Sequence, residues 1–310
     1  MGKQSKYNGE NRFNNKNGNR TRLPNEFFYD KINLGNYGFG GSNDELEIYA
    51  TFEYGLSVSD ITELIECKKP DLLCKMLSLR EAFPEKVFEP RNLIFDKSYV
   101  SDNELDKIIK WCKNNGFPFK PQIPEKKKVN AKLFTPRQKP RIHFNVWDFL
   151  KRLNDVYSLY LLYKVITDEE LTSFETTAYI SCQQGENGTA LIGEQFKPLK
   201  EMSKDDCWSV FKSKYKEIGF TNQISFEGKI HLTVKTENLF DAAFYQLALL
   251  LNGDSIQIGK CPICHNYFER DHGSQKYCLN KNEYGRPTCY PQKTYKRKKL
   301  EQQKKNGQAF

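Results

Sequence analysis

Apolar residues recur along this chain with two periods, one near 3.6 and one of 2, and the period assigns most of the elements. Ser42 and Glu45 are spaced as a capping box ahead of Leu46, Ile48 and Tyr49, which predicts a first helix stopping at Gly55. A second helix is expected to start near Ser57 or Ser59, with Ile61, Leu64 and Ile65 on its inner face. Pro70 suits the first turn of a third, in which Leu72, Leu73, Met76, Leu77 and Leu79 repeat at helical spacing as far as Pro84. Ser101 and Glu104 form another capping box, after which Leu105, Ile108, Ile109 and Cys112 face one way until Gly116. Asn145 caps a long helix striped by Val146, Phe149, Leu150, Leu153, Val156, Tyr157, Tyr160 and Leu161. Ser203 to Ile218 and a Leu/Ala-rich stretch from Thr236 to Asn252 complete the helical set.

Period 2 takes over elsewhere. Residues from Thr176 to Cys182 alternate, and Gly185 to Gly188 can turn the chain back through Ala190 and Ile192 as a hairpin. Ile224 and Phe226, then Ile230, Leu232 and Val234, alternate on either side of Glu227-Gly228, a clear hairpin pattern. Ile256 and Ile258 carry a short strand into the last segment. The fold class read from this pattern is α+β: a mainly helical N-terminal region over 23–117, a mixed helix and hairpin region over 143–254, and a small unit over 255–310. Between the first two, Pro118, Pro121, Pro124, Pro136 and Pro140 surround Lys126-Lys127-Lys128, so 118–142 reads as a linker or long surface loop and as the preferred domain boundary. Residues 1–22 are rich in Asn, Gly and Lys with few apolar side chains, and a disordered arm is expected there. Gly35, Gly38, Gly40 and Gly41 lack the strand, helix and lysine context of a phosphate-binding loop and read as a flexible connection.

Charge sharpens this outline. The formal net charge is +9, but 1–22 carry +5 and 290–310 carry +6, leaving 23–289 at −2. Two basic ends on a slightly acidic body point to a polyanionic partner, because each lysine that neutralises a phosphate releases counterions. The longest apolar runs, Tyr157 to Ile166 and Leu239 to Leu251, fall short of the ~20 residues a membrane span needs. The N-terminus has no apolar signal core, and nine cysteines include a Cys-x-x-Cys pair, so a cytoplasmic chain with thiols and metal is expected in place of a disulfide framework. Cys67, Cys74 and Cys112 fall on inner helical faces as small apolar fillers.

The strongest chemical signal lies between Cys261 and Cys289. Cys261-Pro-Ile-Cys264 supplies two soft ligands from one tight turn, and Cys278 and Cys289 follow close enough to close a loop around a metal. A structural zinc site takes four such ligands in a tetrahedron, and Zn2+ is the expected cofactor. The gap from Cys278 to Cys289 is wider than in common fingers, so His272 is the substitute if Cys289 is not used; His265, directly after a knuckle cysteine, is less suited. Gly273 offers a turn, and Tyr267 with Phe268 a miniature core. Lys293, Tyr295, Lys296, Arg297, Lys298 and Lys299 follow the last ligand as a basic helix.

A Leu/Ala-rich helix, a short connection, Cys-x-x-Cys, an aromatic at Phe268, Tyr277-Cys278, a further Cys and then Lys/Arg resemble the C-terminal treble-clef-like finger of the bacterial CGNR zinc-finger proteins, over about residues 237–300. In that family the last ligand opens Cys-Gly-Asn-Arg, whereas here Cys289 is followed by Tyr290-Pro291-Gln292-Lys293. The resemblance implies a transcription regulator with a separate N-terminal sensing domain and no enzymatic activity. Catalytic patterns are otherwise thin: His143 and His231 stand isolated, and no spacing supports Cys182 with His231 as nucleophile and base. The expected function is therefore nucleic-acid binding, with DNA preferred over RNA as partner, through Lys293, Tyr295, Lys296, Arg297, Lys298 and Lys299. The alternative is a non-catalytic adaptor that docks a protein partner with the finger.

Overall fold

A computed structural model of the chain describes residues 26–42, 45–51, 59–67, 69–88, 100–121, 141–172, 175, 189–192, 195–198, 203–215, 221–226, 230–236, 238–251, 257–279 and 288–289. The expected arm 1–22, most of the Pro-rich segment, the alternating run from Thr176 to Cys182, the turn expected at Gly185 to Gly188 and the basic residues after Cys289 lie outside them. Helices form where their caps stand. Helix α1 (Asp71–Glu81) follows Pro70. Helix α2 (Asp102–Asn115) opens on the capping box, with the Ser101 N–H donating to Glu104 Oε2 at 2.7 Å. It ends at Gly116, whose φ of 97° and tight seat against the Ile32 backbone, where a Cβ would lie 3.1 Å from N, admit only glycine comfortably. Helix α3 (Val146–Ile166) starts on Asn145, whose side-chain oxygen accepts from the N–H of Trp147 at 2.8 Å and of Asp148 at 3.3 Å. Helices α4 (Lys204–Tyr215) and α5 (Leu239–Leu251) are likewise capped, by Ser203 with Asp206 and by Asn238.

Two expected helices are strands. Residues Glu47–Thr51 form β3 and Thr62–Glu66 form β4, the latter after one 3-10 turn at Ser59–Ile61. The capping pattern ahead of Leu46, Ile48 and Tyr49 suggests a helix, but Ile48 and Ala50 alternate with half-exposed Glu47, Tyr49 and Thr51, and both edges of β3 find partners. At the expected capping box the Glu45 N–H donates to Ser42 C=O at 3.0 Å. Strand β4 is an edge strand whose Leu64 points outward at 55% exposure, which explains why its apolar residues resemble a helix face more than an alternation. The glycine-rich stretch expected to be a flexible connection contains β2 (Asn36–Gly40), where Gly38 lets the Tyr49 ring lie across the backbone: a Cβ there would sit 2.7 Å from Tyr49 Cζ. The N-terminal region is thus mixed, not mainly helical.

Strand β1 (Glu26–Ile32) runs antiparallel to β4 and parallel to β9 (Ile230–Thr236), which pairs in turn with β8 (Thr221–Phe226), so the expected hairpin becomes half of a four-stranded sheet of order β4-β1-β9-β8. A second sheet, β2-β3-β5, is completed by β5 (Arg141–Asn145). Ala190 and Ile192, expected to pair back on the run from Thr176, lie instead in β6 (Thr189–Ile192), which pairs antiparallel with β7 (Gln195–Pro198). Strand pairing therefore joins residues on both sides of the Pro-rich segment, Glu26 to Thr233 and Glu47 to Asn145. One apolar core continues through them. Its centre is α3, with Phe149 packed at 5.4 to 5.9 Å between centroids against Trp111, Phe144 and Phe240. Each such fully buried side chain contributes roughly 1.5–3 kcal/mol. Cys67, Cys74 and Cys112 are buried fillers as expected, and burial, the main cause, pushes the Cys67 thiol up to about 12. Helix α1 packs on α3 and α5 with one side and on the C-terminal finger with another, which makes it the element that positions the site. Among the described residues, no helix is long and apolar enough to cross a membrane.

Candidate metal centre

The finger begins as a two-stranded ribbon, β10 (Gln257–Lys260) antiparallel to β11 (Tyr267–Arg270), in which Lys260 faces Tyr267 and Gly259 faces Phe268. The turn between them is closed by two backbone bonds, Cys261 N–H to Asn266 C=O at 2.9 Å and His265 N–H to Cys261 C=O at 2.8 Å. Closing it requires His265 to adopt φ 61°, the left-handed region that costs an ordinary side chain ~1–2 kcal/mol. This turn supplies Cys261 and Cys264. The chain then doubles back through 271–277, braced by Gln275, whose side chain accepts from the Asp271 N–H at 2.7 Å and donates to Tyr277 C=O at 3.1 Å. It thereby delivers Cys278, and Cys289 arrives from the following segment.

The sulfurs of Cys261, Cys264, Cys278 and Cys289 all lie within 4.8 Å of one another, and those of Cys264 and Cys278 are 3.5 Å apart. Cys261, Cys278 and Cys289 are buried and Cys264 is partly so. With Phe268 the three buried thiols form a second, small cluster, against which Ile263, Cys264 and Tyr277 pack. Electrostatics separate the thiols. Burial pushes Cys261 up, but the backbone N–H groups of Cys264, Cys278 and Ile263 overcome it and leave Cys261 at about 6. Cys264 is raised, by burial first and also by neighbouring sulfurs. Crowded sulfurs resist ionising together without a cation among them. Four convergent thiols, three buried and one partly so, are a donor set that fits a metal ion, and the residues that would hold one are these four.

Cys289 joins the cluster in spite of its wide spacing. His272, the substitute ligand, is exposed and bonded through Nδ1 to Ser274 Oγ at 2.9 Å, outside the four-sulfur group. The miniature core expected of Tyr267 and Phe268 divides: adjacent strand residues face opposite ways, so Phe268 enters the finger cluster while Tyr267 enters the main core of the body. There its ring meets Tyr160 edge-on at 5.6 Å and its hydroxyl donates to Glu81. Glu81 and Ser78, on α1, carry no motif that marks them in the sequence; the alternation of Tyr267 and Phe268 was the one available signal that the finger has a second packed face. Lys293, Tyr295, Lys296, Arg297, Lys298 and Lys299 lie outside the described residues, as does Cys182. His143 is exposed, 3.6 Å from Glu47 on the neighbouring strand, and His231 stands opposite Ser225 in the β8–β9 register.

No protein-family model matches the chain, and neither the curated proteins nor the solved structures include a match to it.

Proposed function

We propose that this chain is a nucleic-acid-binding protein, acting as a transcription regulator, whose C-terminal finger is built on a zinc ion held by Cys261, Cys264, Cys278 and Cys289. The observation that carries the reading is the convergence of those four sulfurs immediately before the most basic stretch of the chain. All-sulfur tetrahedral sites favour Zn2+ among hard and borderline cations, and four protein ligands leave no open position for catalysis. A kinship with CGNR-type fingers belongs to the same reading. In it, Lys293, Lys296, Arg297, Lys298 and Lys299 neutralise phosphates and Tyr295 supports stacking on exposed bases.

The test is a titration of the zinc-loaded chain against duplex DNA, single-stranded DNA and RNA over a range of salt. A variant with those five basic residues changed to Gln serves as comparison. The expected result is binding that weakens steeply with salt, with a slope near −0.9 per phosphate contact on duplex, and a shallower slope for the variant. Equal, salt-insensitive or negligible binding by both overturns the proposal. A protein-docking role is the second reading, supported by Leu279: it is 57% exposed beside a groove of about 410 Å³ lined also by Asp271, His272, Ser274, Gln275, Lys276 and Tyr277.

A further inference from the structure

The metal-binding turn is gripped from outside the finger. Lys260 and Tyr267 face each other across β10 and β11 as the last pair before the turn from Cys261 to Asn266, so whatever holds these two side chains holds the base of that turn. One carboxylate holds both. Glu81, the last residue of α1, pairs through Oε2 with Lys260 Nζ and accepts the Tyr267 hydroxyl at Oε1. The same Oε1 accepts the Tyr157 hydroxyl of α3 at 3.0 Å, which ties the grip to the centre of the body. One turn earlier on α1, Ser78 Oγ accepts the Tyr267 backbone N–H at 2.8 Å and donates to Cys74 C=O at 2.7 Å. Lys69 and Glu269, 3.4 Å apart, add an ion pair at the rim.

The Glu81 side chain is 9% exposed, and losing partners there would leave a buried charge uncompensated. The carboxylate is therefore committed to its three contacts, two in the finger and one in the body. Next to this site Lys164 pairs with Glu175 at 2.8 Å, and Arg80 lies 3.5 Å over the Phe88 ring; the Tyr267 hydroxyl also lies 3.3 Å from Glu175 Oε1, a longer contact than the one it makes to Glu81.

We propose that Glu81 is a positioning residue for the metal centre, clamping both strands at the base of the Cys261–Cys264 turn to α1. Metal binding at the four thiols and packing of α1 on α3 are then thermodynamically coupled. The physical reason is preorganisation: a turn already fixed at its base loses less chain entropy when its sulfurs close on an ion. Coupling of this kind is reciprocal, so the ion stabilises α1 as much as Glu81 stabilises the ion. The inference rests on the four thiols binding a metal and is independent of any nucleic-acid partner.

The experiment is competition of the full-length chain for Zn2+ against a chromophoric chelator. Glu81→Gln is expected to weaken affinity about 10–100-fold, as loss of an outer-sphere partner does. Tyr267→Phe, which keeps the ring and removes only the hydroxyl, is expected to weaken it less, and it serves if Glu81→Gln does not fold. Leu105→Ala, in the fully buried face of α2, destabilises the body without touching the clamp and is expected to leave affinity within about twofold. Affinity unchanged in Glu81→Gln and Tyr267→Phe, or weakened equally in Leu105→Ala, overturns the proposal. Hydrogen exchange supplies the reciprocal readout: stripping the metal should speed exchange at amides around Ser78 to Ala82 and spare α2, and an unaffected α1 overturns the coupling. An unsubstituted chain that takes up no Zn2+ removes the metal reading itself, a result distinct from metal bound with unaltered affinity.

Discussion

Phe149 in α3 and Cys278 in the finger are almost equally hidden, at 0% and 1% exposure, and they are held by different physics. Around Phe149 the core continues from Phe27 to Tyr267, so each apolar residue leans on others and the loss of one leaves the rest in place. Around Cys278, among the described residues, the buried cluster is one aromatic, Phe268, and sulfur, with Ile263 and Tyr277 packed partly buried against it. Burying one Phe contributes roughly 2–3 kcal/mol, whereas fixing each residue of a loop such as 271–277 costs about 1–2 kcal/mol in backbone entropy alone. Apolar burial does not hold such a unit together by itself. The grip of α1 on β11 offsets part of that deficit, and the four thiols are placed so that a metal ion held among them would offset the rest. A large core is robust because it is redundant; a small one depends on a few strong, specific bonds.

The contrast breaks most sharply at the sulfurs. Cys278→Ser, or removal of Zn2+ by a chelator, is expected to cost the finger ~10 kcal/mol and unfold it, while near-ultraviolet circular dichroism from the aromatic core of the body persists. Phe149→Ala is the converse change: a cavity in α3 is expected to lower global stability by about 3–5 kcal/mol in denaturant titration, with Zn2+ stoichiometry unaltered. A subtler test uses the Lys164–Glu175 pair beneath the finger. Burial raises the Glu175 carboxyl, but hydrogen bonds and charge from Lys164, with the Thr172 N–H, outweigh it and hold the carboxyl below its ordinary range. A carboxylate depressed on folding contributes stability that is fully present above its unfolded pKa and is lost as pH falls through the folded value. Acid unfolding of the metal-free chain should therefore lose this contribution below about pH 4, and Lys164→Met should flatten that limb. The smallest effect belongs to His265. His265→Gly relieves the left-handed strain and should bind Zn2+ at least as tightly, whereas His265→Val should weaken binding, because a β-branched side chain tolerates φ near 61° poorly.

Much of this organisation is legible in the chain, and the failures share a cause. Helices α1, α2, α3 and α5 announced themselves because their caps and apolar stripes are local: Ser101 with Glu104, Asn145, Gly116. The four cysteines are legible as a candidate donor set because metal ligation demands particular atoms at short spacing, and Cys289 is the least legible because its spacing is the least local. Strands β3 and β4 look like helices in the sequence because a strand draws its stability from partners distant in sequence, Phe144 for Ile48 and Tyr29 for Ile65. The Pro-rich segment read as a boundary for the same reason, since nothing near it reveals that the strands on either side pair.

By itself the sequence determined where α1, α2, α3 and α5 lie, which thiols are candidates to share a metal ion and where charge concentrates, since each follows from residue chemistry within a turn or two. Only the tertiary structure decided that Tyr267 and Phe268 serve different cores and that Glu81 holds the base of the metal turn. Those contacts join residues nearly two hundred positions apart, and a lone carboxylate at a helix end becomes a clamp only when packing brings Lys260 and Tyr267 to it.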